Sequence, residues 1–213
     1  MSYSLYLFDF DYTLVNSEEG ILKCFHMTLD AFHRPPVSDA AICQTIGLPM
    51  AEAVRRITGY TDDADVETFI TYYRRLADIH MTPGTHFFPD TLAVLRTLRE
   101  RGARIGIISS KTRSRIEEKF TATGTSDLID RIIGVEDVQT PKPSPEGIEA
   151  ALRAFGATKS ETLYTGDSIV DAGAAQNADV PFAAVLTGTT PAAAFAAYPH
   201  VGIATNLSGI LEL

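Results

Sequence analysis

Two aspartates one residue apart close the apolar run Ser4–Leu14, SLYLFDFDYTL. Carboxylates this close repel each other unless a cation or a shared proton holds them together. Three more sets of reactive or ligating side chains follow: Ser109 and Ser110, Lys142 between Pro141 and Pro143, and Asp167 with Asp171 in Gly-Asp-Ser-Ile-Val-Asp. Singly, each suits a helix cap or a turn. Together they suit a different purpose. A hard divalent cation such as Mg²⁺ takes oxygen ligands from a few carboxylates and a phosphate, and Asp9 and Asp167 can supply the carboxylates. A carboxylate can also act as a nucleophile and form an aspartyl-phosphate. Phosphoryl transfer needs charge and donors around the phosphoryl oxygens, which Lys142 and Ser109 with nearby backbone N–H groups offer. The chain has no G-x-x-x-x-G-K-[ST] loop and no G-x-G-x-x-G, which disfavours a nucleotide-cradling site.

The elements that would position these residues alternate. Residues 5–10 are apolar almost throughout, as in a strand buried on both faces. From 17 to 81 the pattern is helical. Ile21, Leu22, Phe25, Leu29 and Phe32 share one face behind a Ser17 N-cap, and further helices are expected over about 38–46, 50–58 and 64–80. Strands at 104–108, near 131–134, 162–165 and 182–186 then alternate with helices over about 89–101, 112–122, 145–155 and 169–178. The Ala-rich stretch 191–197 reads as a short surface helix. This grammar predicts an α/β fold: a Rossmann-like three-layer α/β/α core with an open parallel sheet, interrupted by an inserted all-α helical bundle. The expected division is a core of 1–15 and 82–213 and a helical domain of 16–81, with hinges at Val15–Ser17 and Thr82–Gly84. Every singled-out polar residue falls just past a predicted strand end, where open α/β sheets bind ligands.

Composition narrows the partners. With 27 acids against 18 bases the formal charge is −9, which argues against nucleic acid or an anionic membrane surface. Cys24 and Cys43 fit no disulfide framework or zinc spacing. No signal-peptide pattern or membrane-length apolar run is present, so the expected location is the cytoplasm.

D-F-D-Y-T-L, Ser109 at a strand end, Lys142 in P-K-P and G-D-S-I-V-D together resemble the four motifs of the haloacid dehalogenase-like (HAD) superfamily, in order and over almost the whole chain. The inserted helices resemble the C1 cap of its phosphoglycolate phosphatase-like branch. The resemblance implies that Asp9 is the nucleophile and a Mg²⁺ ligand. Asp11 would be the acid and base that serves the leaving oxygen and then water, and its backbone carbonyl would also reach the metal. Ser109 would bind a phosphoryl oxygen, with Ser110 beside it, and Lys142 would balance charge. Asp167 would ligate Mg²⁺, Asp171 would act through the metal's water shell or by orienting neighbours, and Thr13 would support the loop. The second aspartate, absent from dehalogenase members, implies a phosphatase or a phosphomutase.

Tyr12 stands where this family often has glycine. Tyrosine lacks glycine's freedom at positive φ, so an ordinary loop conformation is expected there, with the ring packed. In the helical insert, Gly47 in Thr45-Ile46-Gly47-Leu48-Pro49 resembles a loop that faces substrate. Lys23, Arg55 and Arg56 are candidate cations for a substrate carboxylate. Cap closure would expel water. The leading expectation is a Mg²⁺-dependent phosphatase of a small phosphomonoester, phosphoglycolate by family, acting as a monomer or homodimer. The alternatives are a sugar-phosphate mutase of the β-phosphoglucomutase type and a non-catalytic scaffold that binds a phosphorylated ligand.

Overall fold

A computed structural model describes residues 3–213, and its first strand lies at the centre of the sheet. In chain order the elements are β1 (Leu5–Phe8), β2 (Val15–Asn16), α1 (Glu18–Ala31), α2 (Asp39–Cys43), α3 (Met50–Thr58), α4 (Asp63–His80) and β3 (His86–Phe87). There follow α5 (Thr91–Glu100), β4 (Arg104–Ile108), α6 (Arg113–Ala122), β5 (Arg131–Ile133), α7 (Glu146–Phe155), β6 (Thr162–Gly166), α8 (Ile169–Ala178), β7 (Phe182–Val185) and β8 (Gly202–Ala204). The chain divides into two compact units, one formed by the segment through Val15 with Phe87–Leu213, the other by Asn16–His86.

The first unit is an α/β/α sandwich of the Rossmann-like kind. Its six strands run in the order β5-β4-β1-β6-β7-β8, every pairing parallel. Side chains of β1 alternate between two separate cores, as a strand buried on both faces must. Tyr6 and Phe8 pack with Val94, Leu95 and Leu98 of α5 and Ile116 and Phe120 of α6. Leu5 and Leu7 face Ile148, Ala151 and Leu152 of α7 and the alanines of α8. Small side chains along α8 let it lie close to the sheet, and Ser168 caps it in a reciprocal box with Asp171.

The second unit packs α1 against α4 around Phe25, Phe69 and Tyr73, with the Phe25 and Tyr73 rings 4.9 Å apart. Its two ends meet. Gly20 N–H donates to Gly84 O at 3.0 Å, and a Cβ on Gly84 would stand 2.5 Å from Gly20 N, so only glycine admits this approach. Asp62 caps α4 by accepting from Ala64 N–H.

Several local expectations are corrected. The first strand ends at Phe8 rather than residue 10, because Asp9 N–H still bonds Thr165 O but the chain then turns back on Phe10 O. The carbonyl of Phe10 collects the N–H groups of Leu14 and Val15, which forms the turn. Ser17 does occupy the N-cap position of α1, but its side chain makes no capping bond, and Asn16 Oδ1 accepts the Glu18 N–H instead. The Ala-rich stretch is a short surface helix as expected, but of the 3-10 kind over Ala192–Ala197, with Phe195 its one buried side chain. Two pairs of residues, β2 and β3, form a small second sheet, and β8 extends the main one; both escaped the sequence reading. Among the described residues no helix is long and apolar enough to cross a membrane.

Candidate active site

The side-chain alternation of β1 continues past its end: Phe10 joins the α5/α6 core, while Asp9 reaches Lys142 on the α7/α8 side. Asp9 lies directly beyond the central strand, flanked by the ends of β4 and β6. The loop beyond β4 carries Ser109, the loop beyond β6 carries Asp167, and Lys142 precedes α7. Parallel strands in this order converge their carboxyl ends on one edge, which is why residues far apart in sequence meet there.

Lys142 is the hub. Its Nζ lies 2.9 Å from Asp9 Oδ1 and 2.7 Å from Asp171 Oδ1, with Tyr164 OH at 3.3 Å and Ile108 O at 3.4 Å. Asp171 also accepts from Tyr164 OH at 2.7 Å and from Ser168 Oγ, so it is held from three sides. Thr13 Oγ1 donates to Asp167 Oδ1 at 3.1 Å, across 154 residues of sequence. Asp167 is further confined by the loop after β7: a Cβ on Gly188 would stand 1.9 Å from Asp167 Oδ2.

Electrostatically the cluster is short of positive charge. Burial pushes the Asp9 carboxyl up to about 7, and Asp171 and Asp11 add to the rise against the pull of Lys142. Burial also raises Asp167 well above the usual carboxylate range, and Asp171 and Asp9 raise it further. Burial acts to lower Lys142, but Asp171 and Asp9 more than reverse this and hold the ammonium charged. One ammonium thus serves three buried carboxylates. Oxygen atoms of Asp9, Asp167 and Asp171 lie within 4.8 Å of one another. An all-oxygen set with surplus negative charge, and with only a neutral hydroxyl on Asp167 Oδ1, is chemically suited to a hard divalent cation.

Asp11 does not join that cluster through its side chain. Its Oδ1 accepts from Lys111 Nζ at 2.7 Å. Ser109, largely buried, accepts the Lys111 N–H on Oγ at 3.1 Å, and Ser110 lies beside it, half-buried. Gly47 belongs to the helical unit, where its φ is +92°. In that unit the Arg55 guanidinium is engaged by Tyr60 O, Thr61 O and Asp63, while Lys23 and Arg56 are exposed.

Tyr12 overturns the expectation of an ordinary loop conformation: its φ is +60°. A left-handed residue that is not glycine costs about 1–2 kcal/mol. The surroundings offset this. The ring is buried, Tyr12 N–H donates to Val15 O at 2.8 Å, and Thr187 Oγ1 donates to Tyr12 O.

Sequence reasoning missed Lys111, Tyr164, Thr187 and Gly188. Lys111 carried a usable signal, two residues past Ser109 in the same strand-to-helix loop. Tyr164 sits inside a buried strand, and Thr187 and Gly188 follow one, so local pattern gave no sign of their contacts.

Known proteins resemble this chain in sequence and fold. A family profile of haloacid dehalogenase-like hydrolases matches residues 6–185. The pyrophosphatase PpaX of Halalkalibacterium halodurans is 29% identical over 185 residues, covering 87% of this chain and 84% of that protein. A crystal structure of a candidate haloacid dehalogenase-like hydrolase from Bacteroides fragilis is 44% identical, with a TM-score of 0.95 over 98% of this chain and 100% of that one. A candidate phosphoglycolate phosphatase from Lactobacillus plantarum shares the fold at 23% identity, with a TM-score of 0.87 over 100% and 99% of the two chains.

Proposed function

The chain belongs to the haloacid dehalogenase-like hydrolase family, and we propose that it is a Mg²⁺-dependent phosphatase that cleaves a small phosphorylated compound through an aspartyl-phosphate on Asp9. The observation that carries the reading is the Asp9 carboxylate, which ends the central strand 2.9 Å from the Lys142 ammonium and within a cluster of two further buried carboxylates. An Asp9 oxygen attacks phosphorus as the ester bond breaks, and Asp11 gives a proton to the departing oxygen. Water then attacks phosphorus and loses its proton to Asp11. The Asp9–phosphorus bond breaks and inorganic phosphate leaves. Lys142 offsets charge on Asp9 and the phosphoryl oxygens, while Ser109 Oγ, with Ser110 beside it, supplies neutral donation. Asp9 and Asp167, with the Asp11 carbonyl, would hold Mg²⁺, and Asp171 would orient Lys142 and Tyr164. When bound, the cation neutralises charge developing on the phosphoryl oxygens.

For substrate, a phosphomonoester such as phosphoglycolate is the first reading. Pyrophosphate is the second, because the PpaX relative matches most of both chains. The helical unit would act as the substrate-selecting cap, with Gly47 in its substrate-facing loop. We place the enzyme among small phosphorylated metabolites of the cytoplasm.

Two measurements test this. Chelated enzyme should lose turnover of an aryl phosphate and regain it with Mg²⁺, and hydrolysis in ¹⁸O water should label the released phosphate. Unlabelled phosphate transfer between the hydroxyls of a hexose phosphate would instead favour the mutase. Gly188→Ala is expected to weaken Mg²⁺ activation by roughly 10- to 100-fold, since the new methyl displaces Asp167. An unchanged Mg²⁺ activation curve for that variant would remove Asp167 from the metal set.

A further inference from the structure

One cation at the site is not used by the chemistry above. Lys111 Nζ lies 2.7 Å from Asp11 Oδ1, and both side chains are only 11% exposed. Its position is set from its own backbone: the Lys111 N–H bonds Ser109 Oγ at 3.1 Å, and its carbonyl accepts Val135 N–H at 3.2 Å. The ammonium also lies 5.7 Å from the centre of the Phe10 ring. Lys111 is therefore tied to the loop that carries Ser109, with its charge beside the acid that serves the leaving oxygen.

We propose that Lys111 reads the charge of the leaving group and selects substrates whose leaving group is itself an anion, either a second phosphate or a carboxylate. The inference rests on the phosphatase reading and concerns the same site. The buried carboxylates of Asp9, Asp167 and Asp171 cluster at this strand edge with Asp11 on the same loop as Asp9, and Lys142 is already shared by Asp9 and Asp171. An anionic leaving group departing past Asp11 meets repulsion unless a cation stands there. Lys111 stands there. An ammonium is a compact point charge, so its field favours an anionic oxygen that departs beside Asp11. A neutral alcohol leaving group makes no use of that charge.

The test compares Lys111→Met and Lys111→Arg with the wild-type full-length enzyme in Mg²⁺, using pyrophosphate, phosphoglycolate and glycerol 3-phosphate. The third substrate has an uncharged leaving group that still needs Asp11 for its proton. Lys111→Met is expected to lower kcat/KM for pyrophosphate or phosphoglycolate by roughly 10- to 100-fold. Glycerol 3-phosphate, which should feel only the lost contact to Asp11, is expected to fall by a factor at least about 5-fold smaller, and Lys111→Arg should recover most of the loss. Whichever anionic substrate falls identifies the leaving group. An equal loss on all three substrates, which a purely positioning role on Asp11 would give, overturns the inference. So does no loss on either anionic substrate, or a wild-type preference for glycerol 3-phosphate over both. If the wild type cleaves none of these and no aryl phosphate, the phosphatase reading fails with it. If it cleaves the aryl phosphate but the Lys111 pattern is missing, only this inference fails.

Discussion

Asp9→Asn is expected to lower Mg²⁺-dependent turnover of an aryl phosphate by ~10³-fold or more while the protein stays folded. Asparagine has nearly the same shape but no charge, and its amide is a poor nucleophile toward phosphorus. The fold should tolerate the change, because the amide oxygen can still accept from Lys142, now 2.9 Å from Asp9 Oδ1. Removing one carboxylate from a buried cluster of three, two of which share the Lys142 ammonium, also relieves repulsion. In chelator the variant should therefore melt no lower than the wild type. Undiminished turnover in a folded Asp9→Asn protein would sink the nucleophile assignment.

Lys142→Met has the second large effect, on stability as well as activity. Lys142 is the charge that Asp9 and Asp171 face, and Asp171 has no exposed surface. Stripping one partner from a buried ionic network typically costs about 3–5 kcal/mol, because the remaining charges stay desolvated. For a chain of this size that is a fall in Tm on the order of 10 °C. The methionine stem fills similar volume, so the loss reports charge rather than a cavity. Calorimetry should place the fall in the transition of the sheet-containing unit. Turnover should drop by ~10²-fold or more, since the charge balancing Asp9 and the phosphoryl oxygens is gone. A variant with wild-type Tm would mean that Lys142 does not carry the charge balance of this site.

Much of this was legible in the sequence, for a physical reason. Apolar runs ending in polar residues marked the strands and their reactive ends, and a parallel sheet gathers such ends on one edge. Asp9, Ser109, Lys142, Asp167 and Asp171 could thus be singled out as neighbours without knowing a single distance, and the fold does bring Asp9, Lys142, Asp167 and Asp171 together. What escaped depends on contacts between distant segments. The positive φ of Tyr12 persists with help from Thr187, 175 residues away. Gly188 matters because of where Asp167 lies, which no local periodicity records. Strand β8 is three residues long, Gly202–Ala204, too short to show alternation. Lys111 escaped for a different reason: a lone lysine in a loop reads as a solvated charge, and only the fold buries it against Asp11.

The meeting of Gly20 with Gly84 bears on how the chain finds its fold. β1 must pair with β4, about a hundred residues later, and an insert of 71 residues lies between them. Closing a disordered loop of that length costs roughly 2–3 kcal/mol more than closing one of a few residues. If the helical unit folds first, its own Gly20–Gly84 contact brings its two ends within a hydrogen bond of each other. The insert then behaves kinetically as a short turn, and the central strand can search for β4 as though the helices were not there. Replacing Gly84 by a bulkier residue should therefore slow acquisition of the sheet more than it lowers the sheet's final stability.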